Sequence, residues 1–254
     1  MDRLATRDLT KIYNRVAVVD SLDLSFAAGK ITALLGRNGA GKTTTFLMIA
    51  GIVKPDRGRV EFNGENINRL PSYDRSQRGL IYLPQQHSIF LKATVFDNLR
   101  MILELKFSAA EAQKQTAELL EDFGLTAVKN SRGFELSGGE KRRLEIARAM
   151  IMKPKFLFLD EPFTGIDPIT ILDLQKLILV LKQRGIGIII TDHNVKDTFF
   201  ITDVAHIIHK GQILSSGPPA EVVREERTRQ LFLGQDFEWS GRSPTDRSSR
   251  SRRR

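Results

Sequence analysis

The chain has 254 residues, of which 41% are hydrophobic and 27% are charged, and it contains no cysteine. Such a chain can bury a sizeable core, either as one large domain or as a domain with an inserted subdomain. The composition excludes a disordered protein, a disulfide scaffold and a cysteine-based zinc site or nucleophile. The net charge of +9 is concentrated in residues 239–254, which hold six arginines and one aspartate, so it is weak evidence for nucleic-acid binding.

Strand-like and helical patterns alternate along most of the chain. Residues 1–30 are strand-like and predict an antiparallel flap, and residues 204–209 and 213–214 predict a hairpin. Short apolar runs at 31–35, 156–159 and 187–191 predict buried strands, and residues 43–50 and 169–183 predict helices. Because buried strands that alternate with helices form parallel sheets covered on both faces, we expect an α/β fold with a mostly parallel core sheet.

Residues 94–152 have a helical pattern instead. Ser108 and Glu111 form a capping box before an apolar helical face, Gly124 ends that helix, and a second helix begins near Ser137. We therefore expect a helical subdomain over residues 91–153, inserted into a core formed by residues 1–90 and 154–238. The Ser/Arg-rich residues 239–254 predict a disordered, solvated tail, with contact to anionic lipid or nucleic acid as the alternative.

The pattern G-x-x-x-x-G-K-[ST] occurs between a predicted strand and a predicted helix, the context that a phosphate-binding P-loop requires. Its glycines let backbone N–H groups surround phosphate oxygens, a lysine neutralises the β/γ charge, and a threonine hydroxyl is a ligand for Mg²⁺. The residues assigned to this site are Gly36, Arg37, Asn38, Gly39, Ala40, Gly41, Lys42, Thr43 and the following Thr44.

Two acids, Asp160 and Glu161, follow the apolar strand at 156–159. At the carboxyl edge of a central strand they would lie beside the P-loop. We expect Asp160 to order Mg²⁺ through water and Glu161 to orient the water that attacks the γ-phosphate. A surface acidic pair is the alternative for an isolated sequence of this kind.

The segment LSGGE at 136–140 is a capping box, but the box explains only Ser137 and Glu140. Gly138 and Gly139 weaken the first turn of the helix that they begin. Glycines at a helix start make room for a phosphate, so we interpret this as a second phosphate-ready helix end.

This ordered set of motifs, over residues 3 to about 238, resembles the ATP-binding-cassette (ABC) ATPases. The resemblance implies that two chains sandwich two ATP molecules with Mg²⁺, and that the second helix end serves the nucleotide of the partner. By position, Tyr13 resembles the aromatic residue that stacks on adenine, and Gln85 the residue that contacts Mg²⁺ or water and reports the nucleotide state. His193 resembles the residue that holds the γ-phosphate. Asp167 is explained as a helix N-cap before Pro168, and a role across the dimer is added by the resemblance.

Several segments, among them 86–90, 161–168 and 233–237, look like those of ATPases from lipopolysaccharide-export (Lpt) systems. This resemblance implies a homodimer on the cytoplasmic face of the inner membrane, with two membrane permease subunits that handle the lipopolysaccharide. It also implies that Phe90 lines a groove for a short helix of those subunits, and the alternative for this aromatic ring is a place in the core. The alternatives are a branched-chain amino-acid import ATPase and a soluble ABC ATPase that acts on ribosomes or nucleic acid. A nucleic-acid partner is not favoured, because the basic tail is its only support.

Overall fold

The structure is a computed structural model that describes residues 2–239 and residue 241. Ten strands are described: β1 (Arg3–Tyr13), β2 (Val16–Ala27), β3 (Ile31–Gly36), β4 (Arg57–Phe62), β5 (Glu65–Asn66), β6 (Leu80–Leu83), β7 (Phe156–Asp160), β8 (Gly187–Thr191), β9 (Val204–His209) and β10 (Gln212–Gly217). The α-helices described are α1 (Lys42–Ile49), α2 (Ser72–Gln77), α3 (Val95–Leu103), α4 (Ala109–Asp122), α5 (Gly138–Met150), α6 (Pro168–Gln183), α7 (Val195–Phe199), α8 (Pro219–Val222) and α9 (Glu226–Thr228).

The core is a six-stranded sheet in the order β10-β9-β3-β8-β7-β6, in which all neighbours except the antiparallel β9–β10 hairpin run parallel. Every residue of β3, β7 and β8 is buried, as expected for the short apolar runs that predicted them. The carboxyl ends of β3, β7 and β8 lie side by side, so the residues that follow them meet at one edge of the sheet. The predicted α/β fold is confirmed.

The predicted antiparallel flap is a four-stranded sheet in the order β2-β1-β4-β5. Only its first two strands were predicted, because β4 and β5 lie in a segment rich in charge and glycine. One face of the flap packs on the core sheet through a cluster that includes Phe26, Phe46, Phe62 and Phe158. The flap is therefore attached beside the P-loop helix α1, and Val18 of β2 borders the same cavity as the P-loop.

The segment between β6 and β7 is helical, as predicted. Thr94 caps α3, Ser108 caps α4 by accepting from the Glu111 N–H group, and Gly124 follows the end of α4 with a positive φ of 61°. The apolar faces of α3, α4 and α5 pack together and continue into the core beneath α6. The start of α5 is thereby held at a fixed place relative to α6.

The predicted tail boundary was wrong by at least one residue. Trp239, assigned to the disordered tail, packs edge-on against Phe199 with ring centroids 5.7 Å apart. Because the indole ring is large and apolar, it packs on the apolar cluster that contains Phe199. The prediction used the average composition of the whole tail, which does not show the preference of this single residue. The prediction for residues 240 and 242–254 lies outside the described residues. Within the described part of the chain, no helix is long and apolar enough to cross a membrane.

Candidate functional site

The P-loop turns tightly between β3 and α1, and two of its glycines are required by geometry. Gly41 has φ of 106°, and a Cβ there would lie 2.5 Å from the carbonyl oxygen of Val18. A Cβ on Gly36 would lie 2.3 Å from the carbonyl oxygen of Ile208. These close approaches leave room only for glycine. The loop therefore adopts the shape in which backbone N–H groups can face a phosphate.

Lys42 is 6% exposed, and its ammonium group reaches back over the loop. It donates hydrogen bonds to the carbonyl oxygens of Gly36 (2.8 Å) and Arg37 (3.2 Å). Burial lowers the pKa of Lys42, and the nearby carboxylates, first that of Glu161, oppose this shift. A buried cation held this way is placed to meet an anionic ligand in the loop.

Asp160 lies at the end of β7 and is almost completely buried. Its carboxylate accepts hydrogen bonds from the hydroxyl groups of Thr191 and Tyr82 (3.0 Å), and the Thr43 hydroxyl lies 3.4 Å from Oδ1. The predicted pair of Thr43 and Asp160 is thus brought together. A hydroxyl and a carboxylate oxygen side by side are the donor types that Mg²⁺ prefers.

Glu161 is the centre of a second group of contacts. Its Oε2 accepts from Gln85 Nε2 (2.9 Å) and Thr164 Oγ1 (3.2 Å), and His193 Nδ1 lies 3.5 Å away. Its backbone N–H donates to the carbonyl oxygen of Thr191 (2.8 Å), and its φ of 48° is in the left-handed region. A non-glycine residue in this region is strained and is held there by its surroundings. The backbone is therefore bent so that the carboxylate meets Gln85 and His193.

Asp192 anchors the segment that carries His193. It is completely buried, and it accepts hydrogen bonds from the backbone N–H groups of Phe163 (3.0 Å) and Asn194 (2.8 Å). Burial raises the pKa of Asp192, while these two hydrogen bonds and the neighbouring His193 oppose the shift. Since the bonds join the segments after β7 and β8, Asp192 fixes His193 relative to Glu161.

These residues surround a cavity of about 660 Å³. It is lined by Val18, Asn38, Gly39, Ala40, Gly41, Lys42, Thr43, Thr44, Gln85, Glu161, Thr164 and His193. The volume suits a nucleotide-sized ligand. Of the predicted residues, Gly36, Arg37 and Asp160 lie just behind this lining and contact residues in it.

Tyr13 does not line the cavity. It lies at the end of β1, its side chain is 44% exposed, and the Lys11 ammonium group lies 5.2 Å from the ring centroid. The aromatic face is therefore accessible at the surface of the flap. The role of Tyr13 in adenine stacking stays a prediction.

Ser137, Gly138, Gly139 and Asp167 also lie outside the cavity of their own chain. Ser137 caps α5 as predicted: it accepts from the Glu140 N–H group (3.3 Å), and the Glu140 carboxylate accepts from the Ser137 N–H group (2.9 Å). Asp167 caps α6 by accepting from the N–H groups of Ile169 and Thr170. The Thr170 side chain, and after it these backbone bonds, lower the pKa of Asp167. Both helix ends are thus built as the sequence predicted.

The two glycines of this segment have different reasons to be glycine. A Cβ on Gly139 would lie 2.0 Å from Thr170 Cγ2, so this glycine is required for the close contact of α5 with α6. A Cβ on Gly138 would meet its nearest neighbour within the chain, the carbonyl oxygen of Gly165, at 3.6 Å, an ordinary contact. Packing within the chain therefore explains Gly139 but not Gly138. The expectation that a glycine here makes room for a phosphate stays a prediction for Gly138 alone.

Phe90 lies five residues beyond Gln85, with its side chain 48% exposed. The Arg148 guanidinium group lies 4.7 Å above the ring, and the Asn98 side chain bonds both the N–H and the carbonyl group of Phe90. The adjacent Leu91 is 49% exposed. Phe90 is therefore a fixed surface residue and not a core residue, which was the alternative explanation for an aromatic in this loop.

The sequence motifs did not predict Tyr82 and Thr191, which bond Asp160, or Thr164, which bonds Glu161. Tyr82 and Thr191 lie far along the chain from Asp160. In the sequence, only their positions near the ends of predicted strands indicated that these two residues lie near the site. Burial and the Asp160 carboxylate raise the pKa of Tyr82, so its hydroxyl remains a donor.

Comparison with known proteins agrees with this geometry. The family model described as "ABC transporter" matches residues 19–164. The chain is 46% identical to the lipopolysaccharide export system ATP-binding protein of Acidithiobacillus ferridurans, over 92% of this chain and 98% of that protein. It is 43% identical to the protein of the same description from Haemophilus influenzae, over 93% and 99% of the two chains, and 42% identical to that from Escherichia coli K12, with the same coverage.

Two solved structures are similar along nearly the whole described chain. One is a nucleotide-free ATP-binding cassette from an ABC transporter, with a TM-score of 0.82 and 25% identity, over 92% of this chain and 100% of the other. The second is a cassette in its ADP conformation, with the same TM-score and coverage and 26% identity.

Proposed function

The chain belongs to the ABC transporter family and is an ATPase, and from this premise we propose that two copies hydrolyse ATP to drive lipopolysaccharide export. The observation that carries the proposal is the cluster around Glu161, which joins the Gln85 amide and the His193 ring beside the P-loop cavity. The cargo is supported by the described function of relatives that are 42–46% identical over more than nine-tenths of the chain. Branched-chain amino-acid import and action on nucleic acid are therefore not favoured.

The P-loop residues bind the triphosphate. Backbone N–H groups of 38–44 surround the phosphate oxygens, the positive end of α1 points at them, and Lys42 neutralises β/γ charge. Thr43 and Asp160, with Gln85, would hold Mg²⁺, and their oxygen donors fit that ion. When bound, Mg²⁺ supplies charge neutralisation on the phosphate oxygens.

Glu161 acts on the attacking water. Its carboxylate accepts a hydrogen bond from the water, orients the oxygen toward the γ-phosphorus and takes the proton as the bond to the β-phosphate oxygen breaks. His193 holds the γ-phosphate and the water from the other side. Gln85 Nε2 already bonds Glu161 Oε2, so this amide is placed to sense whether a nucleotide and its ion are present.

A second chain completes each site. Ser137 and Gly138 lie at the start of α5, and neither residue lines the cavity of its own chain. No atom of the same chain lies close enough to Gly138 to require a glycine there. The space beside this residue therefore suits a phosphate that is bound to the partner chain. The N-cap Asp167 lies beside this helix end, because Gly139 packs on Thr170, and it would contact the same partner.

Phe90 and Leu91 form the surface for the membrane partners. Both side chains are about half exposed, and together they form an apolar patch beside the loop that carries Gln85. An aromatic anchor in such a patch suits a short helix of a permease subunit at the cytoplasmic face of the inner membrane. The two permease subunits would carry the lipopolysaccharide.

Reconstitution tests this function. The chain is purified with the two lipopolysaccharide-export permease subunits of its own organism, placed in proteoliposomes, and lipopolysaccharide release is measured with and without ATP and Mg²⁺. We expect release only with ATP. Release without ATP, or assembly of the chain with amino-acid permeases in place of the export subunits, would contradict the proposal.

A further inference from the structure

Three charged side chains of helix α5, at helical spacing, contact the loop that leads from the ATP site to Phe90. Arg142 Nη1 donates to the carbonyl oxygen of Pro84 (3.1 Å), and Arg148 Nη1 donates to that of Ser88 (2.6 Å). Glu145 lies between the two arginines on the same face. The helix that begins at Ser137 is therefore bonded directly to the loop that begins at the ATP site.

Glu145 makes the central contact between α5 and this loop. It is completely buried, and Oε1 accepts a hydrogen bond from the Ser88 N–H group (2.6 Å). Its Oε2 lies 3.0 Å from Arg142 Nη1 and 3.2 Å from His87 Nδ1. A carboxylate in the middle of a buried helix face is costly to desolvate, and an apolar residue would fill the position without that cost. The burial of a carboxylate at this position therefore points to a role beyond packing.

The loop that Glu145 holds has a different function at each end. At one end Gln85 bonds Glu161 in the ATP site. At the other end Phe90 presents its ring at the surface, beneath the Arg148 guanidinium group. His87 and Ser88, the two loop residues that contact the Glu145 carboxylate, lie between these ends. A shift of the loop on ATP binding therefore acts on α5 through Arg142, Glu145 and Arg148, and of these Glu145 contacts two successive loop residues.

We propose that Glu145 is a positioning residue that couples the ATP site to the Phe90 surface and to the helix starting at Ser137. With Glu145 in place, α5 and the 85–90 loop move as one body when Gln85 responds to nucleotide. Without it, the nucleotide still binds at the P-loop, but the Phe90 surface no longer responds. This inference rests on the proposed function for its purpose, because the Phe90 surface is taken as the docking site.

The test uses a fluorescent probe beside Phe90. The chain has no cysteine, so a Leu91→Cys substitution gives one unique labelling site for an environment-sensitive fluorophore. The non-hydrolysable analogue AMP-PNP is added with Mg²⁺, and the change in emission is measured in the full chain. Glu145→Ala, Glu145→Gln and the control Glu121→Gln, an exposed carboxylate on α4, are compared in this background, together with analogue affinity and Tm.

We expect Glu145→Ala to reduce the emission change about fivefold or more, a coupling of ordinary size, with little change in affinity. Its Tm should fall, because the buried Arg142 guanidinium group loses its carboxylate partner. Glu145→Gln should fall between Glu145→Ala and the control, because its amide oxygen can still accept from the Ser88 N–H group. An unchanged signal in both Glu145 variants overturns the proposal, as does a labelled reference chain that gives no signal. If the emission change falls only as much as the losses in Tm and analogue affinity account for, Glu145 has a structural role alone and the proposal is overturned.

If Glu145→Ala unfolds, Glu145→Gln decides: a reduced signal at unchanged Tm supports the coupling role, and a full signal refutes it. The measurement needs no membrane partner. A chain whose probe responds as expected but which releases no lipopolysaccharide in proteoliposomes would refute the proposed function and leave the inference about Glu145 intact.

Discussion

The side-chain amide of Gln85 donates a 2.9 Å hydrogen bond to Oε2 of Glu161. Gln85 follows β6 and Glu161 follows β7, so the bond joins two neighbouring strand ends of the parallel sheet. It connects the carboxylate proposed to orient water with the loop that ends at Phe90. Because the two groups share one hydrogen bond, a ligand that competes for either of them must move the loop.

Ser137→Arg tests whether each ATP site is shared between chains. A bulky cation at this helix end should block closure of the dimer, abolish turnover and leave ATP affinity at the P-loop nearly unchanged. Ser108→Arg, at the N-cap of α4, is the matched control for loss of a cap, which destabilises by about 1 kcal/mol. Turnover and nucleotide affinity are measured separately.

A mixing experiment strengthens this test. Lys42→Ala removes the P-loop cation and Ser137→Arg blocks the second helix end, so each variant alone should be inactive. A mixed dimer contains one site in which both parts are intact, and mixing should restore part of the turnover. If the mixture stays inactive, or if Ser137→Arg weakens affinity as much as turnover, the site is not shared.

Gly138→Ala and Gly139→Ala should fail for different reasons. The new methyl group at Gly139 would meet Thr170 at 2.0 Å, so this variant should lower Tm by separating α5 from α6. At Gly138 the methyl group meets only ordinary contacts, so Tm should change little while turnover falls. Thermal unfolding and ATPase assays on both variants distinguish the two. Normal turnover in a stable Gly138→Ala chain would exclude the phosphate role of this helix start.

Phe90→Ala should leave the isolated subunit folded and active, because the ring is half exposed and packs mainly beneath Arg148. Assembly with the membrane partners should weaken by about 2 kcal/mol or more, as for an aromatic anchor at an interface, and transport should cease. Tyr73→Ala, which removes an exposed aromatic ring on α2, is the control. Tm of the subunit and copurification of the permeases are measured. Two outcomes would contradict a coupling role for Phe90: unfolding of the variant as an isolated subunit, or normal assembly and transport.

Arg75 tests the packing that supports the P-loop helix. It is 1% exposed, and its guanidinium group donates to the carbonyl oxygens of Met48 and Ile49 at the end of α1 and to those of Ile67 and Leu70. Arg75→Met should destabilise the fold by at least about 3 kcal/mol, because several buried carbonyl groups lose their donor. Arg78→Met, which removes an exposed ion pair with Glu65, should cost less than about 1 kcal/mol. Urea unfolding measures both, and equal effects would contradict this assignment.

The parts of the site that could be predicted from the sequence are those built by local signals. The P-loop, the cap at Ser137 and the Asp167 cap with Pro168 each depend on residues within a few positions of one another. The order of buried runs predicted the parallel sheet. Since parallel strands end at one edge, the approach of Asp160 to Thr43 followed from that order.

The remaining contacts join residues far apart in the chain. Tyr82 reaches Asp160 across 78 positions, and Ser88 reaches Glu145 across 57, so no local pattern signals either pair. The steric reason for Gly139 depends on Thr170 of α6, and it is visible only once the two helices are packed. Strands β4 and β5 lack a clear apolar alternation; β4 is defined by its pairing with β1, and β5 by its pairing with β4.

Glu161→Gln gives the most direct measurement of the central claim, that this carboxylate drives ATP hydrolysis coupled to lipopolysaccharide export. The variant keeps shape but loses the charge that the water requires, and ATP turnover in proteoliposomes should fall about 10²-fold or more with ATP binding retained. Lipopolysaccharide release should stop, and the variant should accumulate as an ATP-bound dimer on size exclusion, while Glu118→Gln behaves as wild type. Near-normal turnover, or export that continues while hydrolysis is lost, would contradict the account.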